Sequence, residues 1–187
     1  MSAHALREAV AADVPRLTEI YAHAVLNGTA SYELVPPTEA EMLARFESLT
    51  GQDYPYIVAV DGRGNVVGYA YAGPFRMRPA YRWSVEDSIY IAPEVHGRGV
   101  GRALLLRLLE LCEDKGFRQM IAVIGGSNHE PSIRLHERAG FRTIGIFQGS
   151  GFKFGAWIDT VFMQMPLGEG NRSLPDETEY PGTLYAG

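Results

Sequence analysis

The chain has 187 residues, of which 46% are hydrophobic and 21% are charged, and its formal net charge is −5. This length and composition predict one globular domain with a sizeable core, and the negative charge argues against nucleic acid or an anionic membrane as the main partner. The single cysteine, Cys112, excludes an intrachain disulfide and fits a reducing compartment; with no long apolar run and no signal-like start, a cytoplasmic location is expected.

The N-terminal part of the chain predicts one strand and two helices. Residues 4–10 form a short predicted strand, and Asp13 is expected to cap a helix that ends at Gly28. Apolar residues at helical spacing give this helix one buried stripe. Thr38 followed by Glu41 is a capping-box pattern, which predicts the start of a second helix.

Two apolar runs then predict a β-hairpin. They cover residues 56–60 and 66–72, and the loop between them carries Gly62 and Gly64. The Gly-Pro pair that ends in Pro74 is expected to stop the second strand, because proline lacks the N–H group that a strand ladder needs.

The segment of residues 75–83 combines basic and aromatic side chains in a predicted loop. Its arginines are Arg76, Arg78 and Arg82, and its aromatic residues are Phe75, Tyr81 and Trp83. Arginine forks suit carboxylate, phosphinate and sulfonyl oxygens, and aromatic walls lower the dielectric around them. On the residues alone, we favour a solvated basic loop whose aromatic residues cover the edge of the core over an anion-binding loop.

A strand, a glycine-rich turn and a helix follow one another in the middle of the chain. Residues 88–92 are apolar, and a Leu-rich helical pattern covers residues 102–115. Between them, Gly97, Gly99 and Gly101 remove the side chains that would keep an anion from the backbone. The first N–H groups of a helix have no partners within it and carry the positive end of its dipole, so an anion fits there.

Two interpretations of this turn are open. It is either a phosphate-binding loop, to which Arg98 and Arg102 add positive charge, or an ordinary tight turn that is rich in glycine. A P-loop is excluded, because no Lys followed by Ser or Thr comes after the glycines. The spacing also differs from the dinucleotide motif G-x-G-x-x-G. We favour phosphate binding.

The remaining elements decide the fold class. Residues 119–124 predict a buried strand, residues 131–139 a helix that Gly140 stops, and residues 142–147 and 156–165 the last two strands. The order βααβββαβαββ predicts an α/β fold, a three-layer α/β/α sandwich around a mixed, mostly antiparallel sheet, rather than a doubly wound parallel sheet.

The predicted domain covers residues 1–166. Residues 167–187 hold glycines, prolines and acids with little apolar periodicity, which predicts a mobile tail. Three apolar or aromatic residues of the tail are candidates for docking on a neighbour, namely Tyr180, Leu184 and Tyr185.

These motifs together resemble a known family. The sequence from His96 to Gly101 is similar to the [Q/R]-x-x-G-x-[G/A] acetyl-CoA loop of the GCN5-related N-acetyltransferases (GNAT). The sequence S-I-R-L-H-E-R-A-G-F at residues 132–141 resembles the second signature of that superfamily, a helix that ends in Gly-Phe. Residues 69–75, 81–83, Glu86 and 151–155 resemble one subgroup, the phosphinothricin and methionine sulfone/sulfoximine acetyltransferases. The resemblance covers about residues 4–165.

The resemblance implies transfer of an acetyl group from acetyl-CoA to the α-amino group of a small anionic, sulfonyl or phosphinyl amino acid. The α-amino group of such a substrate is protonated at neutral pH, so the reaction needs a general base. Glu86 matches the glutamate that the resembling enzymes use as base through water. The alternative is a strand-end carboxylate paired with Arg82, and Asp87 is expected on the opposite face of the strand.

His136 occupies a position where many members of the superfamily have a tyrosine near the sulfur of CoA. In the phosphinothricin subgroup a histidine stands there. An imidazole titrates in the useful range, so His136 is a candidate for protonating the leaving thiolate or for helping to remove the amine proton. The alternative is a structural histidine.

The resemblance also implies the residues that bind acetyl-CoA and substrate. An Asn of the superfamily three residues before the position of Ser132 falls here on His129, so its role is carried to Asn128. His96 replaces Arg or Gln, a change expected to matter little because the contact is made by the backbone. The residues assigned to acetyl-CoA are Ile89, Tyr90, Ile91, His96, Gly97, Arg98, Gly99, Val100, Gly101, Asn128 and Ser132. Those assigned to substrate are Arg76, Met77, Arg78, Tyr81, Val85, Glu86 and Asp87.

No metal is expected, because no cluster of His, Cys and Asp has the spacing of metal ligands. The resemblance implies a homodimer with part of the substrate loop near the interface. Two alternatives to an amino-acid acetyltransferase are open: an acetyltransferase of a peptide N-terminus or another amine, and a non-catalytic CoA-binding sensor.

Overall fold

The computed structural model describes residues 4–128 and 130–178. The strands in this part of the chain are β1 (Ala5–Glu8), β2 (Tyr56–Val60), β3 (Val66–Pro74), β4 (Ser84–Ile91), β5 (Gln119–Gly125), β6 (Arg142–Lys153) and β7 (Ala156–Pro166). The α-helices are α1 (Val14–Asn27), α2 (Glu39–Thr50), α3 (Val100–Asp114) and α4 (Glu130–Ala139). Their order along the chain is the predicted one.

The seven strands form one sheet in the order β1-β2-β3-β4-β5-β7-β6. Neighbouring strands are antiparallel except β4 and β5, which are parallel. The predicted mixed, mostly antiparallel sheet is confirmed.

Helices cover both faces of the sheet. On one face α1 packs beside α2, and the ring of Tyr21 in α1 meets that of Tyr90 in β4 edge to face, with centroids 4.8 Å apart. On the other face α3 approaches β3 so closely that a Cβ on Gly68 would lie 3.4 Å from Leu104. The three-layer α/β/α arrangement is therefore also confirmed.

The parallel strands β4 and β5 separate after three residue pairs. The last pair joins Glu86 to Ile121, although β4 continues to Ile91 and β5 to Gly125. Beyond Glu86, the backbones of the two strands face each other without a ladder. The centre of the sheet therefore contains a V-shaped opening whose vertex is at Glu86.

The predicted caps differ in outcome. Thr38 and Glu41 form the expected capping box, with the Thr38 N–H donating to Glu41 at 2.7 Å and the Glu41 N–H donating to Thr38 at 3.3 Å. The prediction that Asp13 caps α1 with its side chain was wrong. Its carboxylate instead accepts bonds from Arg7 at 2.7 Å and from the Val10 N–H at 2.9 Å, so it closes the 3₁₀ turn before α1.

Two predicted strand ends were also wrong. β3 continues through Pro74, which is tolerated because it is the last residue of the strand, where a missing N–H costs least. β6 extends to Lys153, which pairs with Ala156 of β7 across a two-residue turn. In that turn Phe154 and Gly155 have φ values of 52° and 76°, the geometry that suits the twist of a tight hairpin.

The described start of the C-terminal segment contacts the domain. The Arg118 guanidinium donates to the carbonyl oxygen of Gly170 at 2.8 Å and to that of Ser173 at 3.1 Å. The residues proposed to dock on a neighbour, Tyr180, Leu184 and Tyr185, lie outside the described residues. Within residues 4–128 and 130–178, no helix is both long enough and apolar enough to cross a membrane.

Candidate functional site

The glycine-rich turn between β4 and α3 exposes its backbone. Gly97 and Gly99 have φ values of 75° and 83°, in the left-handed region that favours glycine. A Cβ on either residue would meet no atom within 4 Å, so the turn faces open space. An anion can therefore approach the amides of this turn without displacing any side chain.

The N-terminus of α3 supplies the donors for such an anion. Gly99 is the N-cap residue and has no side chain to satisfy the first N–H groups of the helix, which starts at Val100. Arg98 and Arg102 are exposed beside it. Free amides, the positive end of the helix dipole and two guanidinium groups fit the diphosphate of CoA.

His96 supports the turn through its side chain. Its Nε2 atom lies 3.0 Å from the carbonyl oxygen of Ile91, the last residue of β4. The side chain thus ties the beginning of the turn to the end of the strand, while the candidate phosphate-binding groups are backbone amides.

The opening between β4 and β5 can take an extended chain with amide groups. One edge of β4 is paired with β3 along its length, including Tyr90 with Tyr69, whereas the edge toward β5 is free beyond Glu86. The backbone of Ile89–Ile91 on that edge fits the two amides of pantetheine, which would add to the sheet like a short strand. The opening leads from the glycine-rich turn to Glu86.

Glu86 lies at the vertex of the opening and faces α1 and α2. It is opposite Gly73 of β3, whose missing Cβ would lie 3.4 Å from Leu49 of α2. The pKa of Glu86 is raised to about 7, chiefly by burial and also by the charge of Asp87, while the charge of Arg76 acts in the opposite direction. A carboxylate with this pKa can accept a proton near neutral pH and pass it on, as a general base must.

A wall of tyrosines lines the same face of the sheet. The rings of Tyr56 and Tyr71 stack with centroids 4.8 Å apart, and Tyr69 stacks on both. Together with side chains of α1 and α2, they surround a cavity of about 30 Å³. The Tyr69 hydroxyl is buried there and has no hydrogen-bond partner among the described residues.

Burial holds these tyrosines in the neutral form. It raises the pKa of Tyr71 to about 12, with a smaller contribution from Glu86. The wall therefore presents neutral hydroxyl groups and apolar rings beside the candidate base. This keeps the dielectric around Glu86 low.

Asp87 and His136 form a buried pair on the opposite face of the sheet. His136 Nε2 lies 3.0 Å from Asp87 Oδ2, and His136 Nδ1 lies 2.8 Å from the carbonyl oxygen of Ser132. Burial alone lowers the pKa of His136, but the hydrogen bond and charge of Asp87, with the Ser132 carbonyl, outweigh it and raise the pKa. The pattern fits an imidazolium that donates from both nitrogens.

This geometry restricts what the pair can do. With both nitrogens engaged, His136 has neither a free nitrogen to accept a proton from the amine nor a free N–H to donate to the thiolate, which leaves a fixed positive charge as the role carried forward. Asp87 faces α3 and α4, as the alternation along the strand predicts, so it is placed to act through His136.

The arginine-rich loop is exposed between β3 and β4. Met77 and Tyr81 are 66% and 42% exposed, and Arg78 is exposed as well. The guanidinium of Arg76 lies 4.3 Å from the centre of the Phe75 ring. The side chains of Met77, Arg78 and Tyr81 are therefore exposed to an incoming ligand, at the end of β4 where Glu86 lies.

The other arginine of the loop has a different setting. Arg82 stacks on Trp83 at 4.0 Å and forms an ion pair with Glu177 at 3.7 Å. The C-terminal segment therefore reaches the base of the arginine-rich loop.

Three further residues assigned from the sequence differ in what they expose. Val85 is fully buried in the core, so only its backbone is available to substrate. Asn128 is exposed, and its carbonyl oxygen accepts a bond from the Glu130 N–H at 2.8 Å. Ser132 uses its carbonyl oxygen to bind His136.

The sequence analysis did not assign the tyrosine wall or Lys153 to the site. A usable signal was present for the wall, because Tyr69 and Tyr71 alternate on one strand and Tyr56 pairs with Tyr71 on the next. For Lys153 no local signal was present, because it stood between two predicted strands and its partners, the carbonyl groups of Gly28 and Ser31, are far away in the sequence. In the part of the chain that the structure describes, no group of three or more His, Cys, Asp or Glu residues could hold a metal ion.

Comparison with known proteins places the chain among acetyltransferases. The acetyltransferase (GNAT) family profile matches residues 17–141. The chain is 50% identical to the phosphinothricin N-acetyltransferase of Alcaligenes faecalis over 88% of this chain and 83% of the relative. It is 40% identical to the L-methionine sulfoximine/L-methionine sulfone acetyltransferase of Pseudomonas paraeruginosa over 91% of this chain and 98% of the relative.

A solved structure agrees with these relatives. The phosphinothricin acetyltransferase of Sinorhizobium meliloti, solved in complex with acetyl-CoA, superposes with a TM-score of 0.96. It is 56% identical, and the alignment covers 100% of both chains.

Proposed function

We propose that this chain, which belongs to the acetyltransferase (GNAT) family, acetylates the α-amino group of a small amino acid that carries a sulfonyl, sulfoximine or phosphinyl group. Acetyl-CoA is the acetyl donor. The observation that carries the proposal is the position of Glu86, a carboxyl group with a pKa of about 7 at the vertex of the opening between β4 and β5.

Glu86 acts as the general base in this proposal. The incoming amine is an ammonium ion near neutral pH and must lose a proton before its nitrogen can attack the thioester carbonyl. Glu86 takes this proton directly or through one water, and its low-dielectric surroundings keep its pKa close to the working pH. Nitrogen then forms a bond to the acetyl carbon, the carbon–sulfur bond breaks, and CoA leaves as a thiolate. The second proton that nitrogen loses passes to this thiolate or to solvent.

The chain's own backbone positions the donor. The amides of Gly97 and of residues 99–101 at the N-terminus of α3 hold the diphosphate, while the Arg98 N–H donates to the Val95 carbonyl oxygen at 3.3 Å. The free edge of Ile89–Ile91 holds the pantetheine. This places the thioester at the vertex, beside Glu86. We propose that His136, as an imidazolium, supplies positive charge that favours the departing thiolate, with Asp87 and the Ser132 carbonyl fixing its orientation.

The arginine-rich loop selects the acceptor. Arg76 and Arg78 present guanidinium forks that suit sulfonyl, phosphinyl and carboxylate oxygens, and Met77 and Tyr81 supply apolar and aromatic contacts. The relatives named for phosphinothricin and for methionine sulfoximine and sulfone support this acceptor class.

We also propose a homodimer. β6 is an edge strand of the sheet, and several of its large apolar side chains are exposed, as is Trp157 of β7. The exposed large apolar residues of β6 are Ile144, Ile146, Phe147 and Phe152. An exposed apolar edge favours association with a second copy. Sedimentation equilibrium at the mass of one chain would contradict this.

A cytoplasmic location is proposed from the single, buried Cys112.

The acceptor is tested by CoA release with acetyl-CoA and a panel of amines. The panel contains methionine sulfone, methionine sulfoximine, phosphinothricin, unmodified amino acids and short peptides. We expect turnover with the sulfonyl, sulfoximine and phosphinyl amino acids, with kcat/KM at least about 100-fold above that for unmodified amino acids, most of which lack a side-chain oxygen that Arg76 and Arg78 can bind.

Two results would contradict the proposal. Turnover confined to peptides would replace the acceptor with a peptide N-terminus. Binding of acetyl-CoA without CoA release for any amine would identify a sensor rather than an enzyme acting on this panel.

A further inference from the structure

Lys153 is a buried lysine that the proposed mechanism does not use. It is the last residue of β6, it is 4% exposed, and it is one of only two lysines in the chain. Its ammonium group donates to the carbonyl oxygen of Gly28 at 2.8 Å and to that of Ser31 at 2.7 Å. A third interaction joins it to the face of the Phe154 ring, with Nζ 5.0 Å from the centroid.

The two carbonyl groups belong to the segment of residues 28–33, which follows α1. A buried ammonium is costly unless its donors are satisfied, and here two carbonyl groups and a ring satisfy them. Lys153 therefore ties the backbone of this segment to the end of β6.

Further contacts hold the same segment on the sheet. The Thr29 hydroxyl donates to the carbonyl oxygen of Gly125, the last residue of β5, at 2.7 Å. The Tyr32 hydroxyl lies 2.6 Å from Thr160 Oγ1 in β7. The segment therefore crosses the end of β5 and the part of β7 that pairs with it, and β5 forms one side of the opening that contains the proposed reaction centre.

Glycines allow this close approach. A Cβ on Gly125 would overlap the carbonyl oxygen of Thr29, and a Cβ on Gly151 would lie 3.0 Å from the Tyr32 ring. The segment thus rests on two positions of the sheet that have no side chain. Any larger residue at Gly125 would push the segment away from β5.

The other end of the segment is fixed to the helices above Glu86. Glu33 accepts hydrogen bonds from Arg45 of α2 at 2.6 Å and from the Tyr21 hydroxyl of α1 at 2.9 Å. Tyr21 and Arg45 both line the cavity beside the tyrosine wall. Residues 28–33 therefore connect the β5 side of the opening with the helices that cover the Glu86 face.

We propose that Lys153 is a positioning residue for the amine acceptor: its ammonium group holds residues 28–33 across the end of β5 and the adjacent part of β7, where the segment forms one wall of the acceptor site. This inference rests on the proposed function. Lys153 itself contacts the backbone of the segment and acts on the acceptor through it. Cofactor binding, which uses the glycine-rich turn and β4, is independent of this wall.

The test separates acceptor binding from cofactor binding in the full-length protein. Lys153→Met removes the ammonium group and keeps the length of the side chain. We expect KM for the best amine of the panel to rise at least about tenfold, because a mobile wall must be ordered on binding. The decrease in kcat is expected to be smaller than this factor, and the Kd of acetyl-CoA is expected to stay within about twofold of the unmodified value. Lys115→Met is the matched control, because Lys115 pairs with Asp53 at 2.6 Å beyond the end of α3; we expect no change in any of the three constants.

A second variant reaches the segment without touching Lys153. Gly125→Ala displaces Thr29 and is expected to raise the same KM, so it decides the question if Lys153→Met does not fold. An unchanged amine KM in a folded Lys153→Met protein, or in Gly125→Ala where that variant decides, would overturn the inference. An equal loss of acetyl-CoA affinity would do so as well. No turnover of any amine by the unmodified chain would instead overturn the proposed function, and the inference with it.

Discussion

Replacing Glu86 by glutamine is expected to lower kcat by about 100-fold to 10,000-fold, the usual contribution of a general base. Glutamine keeps the shape of the side chain but cannot accept the amine proton at neutral pH. The backbone amides and strand edge that hold acetyl-CoA are not altered, so its Kd, measured by calorimetry, is expected to stay within about threefold of the unmodified value. A threefold change in Kd is a binding free energy difference below the roughly 1.4 kcal/mol of a tenfold change.

Asp87→Asn is the matched control for this substitution. It makes the same chemical change on the next residue, but on the face of the strand where the carboxylate binds His136. Breaking a buried charged pair is expected to cost about 3 kcal/mol of unfolding free energy, and the loss of kcat is expected to be smaller than for Glu86→Gln. Unchanged turnover in Glu86→Gln would remove Glu86 from the mechanism.

Gly99→Glu is expected to weaken acetyl-CoA binding by at least about 100-fold. Gly99 has a φ of 83°, which strains any other residue, and a carboxylate there would stand beside the amides that hold a diphosphate. Strain of about 1–3 kcal/mol and repulsion between like charges act in the same direction. Equilibrium binding of acetyl-CoA measures the effect.

Gly116→Glu separates the charge at the site from the strain. Gly116 follows the other end of α3, has a φ of 86°, and would also place its new side chain in open space. The backbone cost is therefore comparable, but the carboxylate lies at the end of the helix away from the proposed diphosphate site. We expect acetyl-CoA affinity to be retained in Gly116→Glu. Equal losses in both variants would mean that the turn does not bind the diphosphate.

The parts of the fold that could be predicted were those with local signals. The capping box of Thr38 and Glu41 and the glycine after α3 fix helix ends through neighbouring residues, and the order of elements then specifies the layers. The predicted strand ends failed at Pro74 and after Phe147, where pairing with a neighbouring strand outweighed local turn residues.

The same distinction holds for the site. The glycine-rich turn is contiguous in sequence, so its residues were assigned together. The pairing of Asp87 with His136 joins residues far apart in sequence, and alternation along β4 predicted only that Asp87 would leave the Glu86 face. The bond between Lys153 and the segment after α1 crosses most of the chain, and no local pattern in either segment specifies it.

The dependence of kcat/KM on pH tests most directly the claim that Glu86 is the base. We expect the unmodified protein to show an acid limb with an apparent pKa of about 7, because the deprotonated carboxylate is the active form. In Asp87→Asn the limb is expected to move to lower pH, because the neighbouring charge that raises the pKa of Glu86 is gone. In Glu86→Gln it is expected to disappear, while any limb that belongs to the amine itself remains. An acid limb near pH 7 that survives in Glu86→Gln would contradict the account.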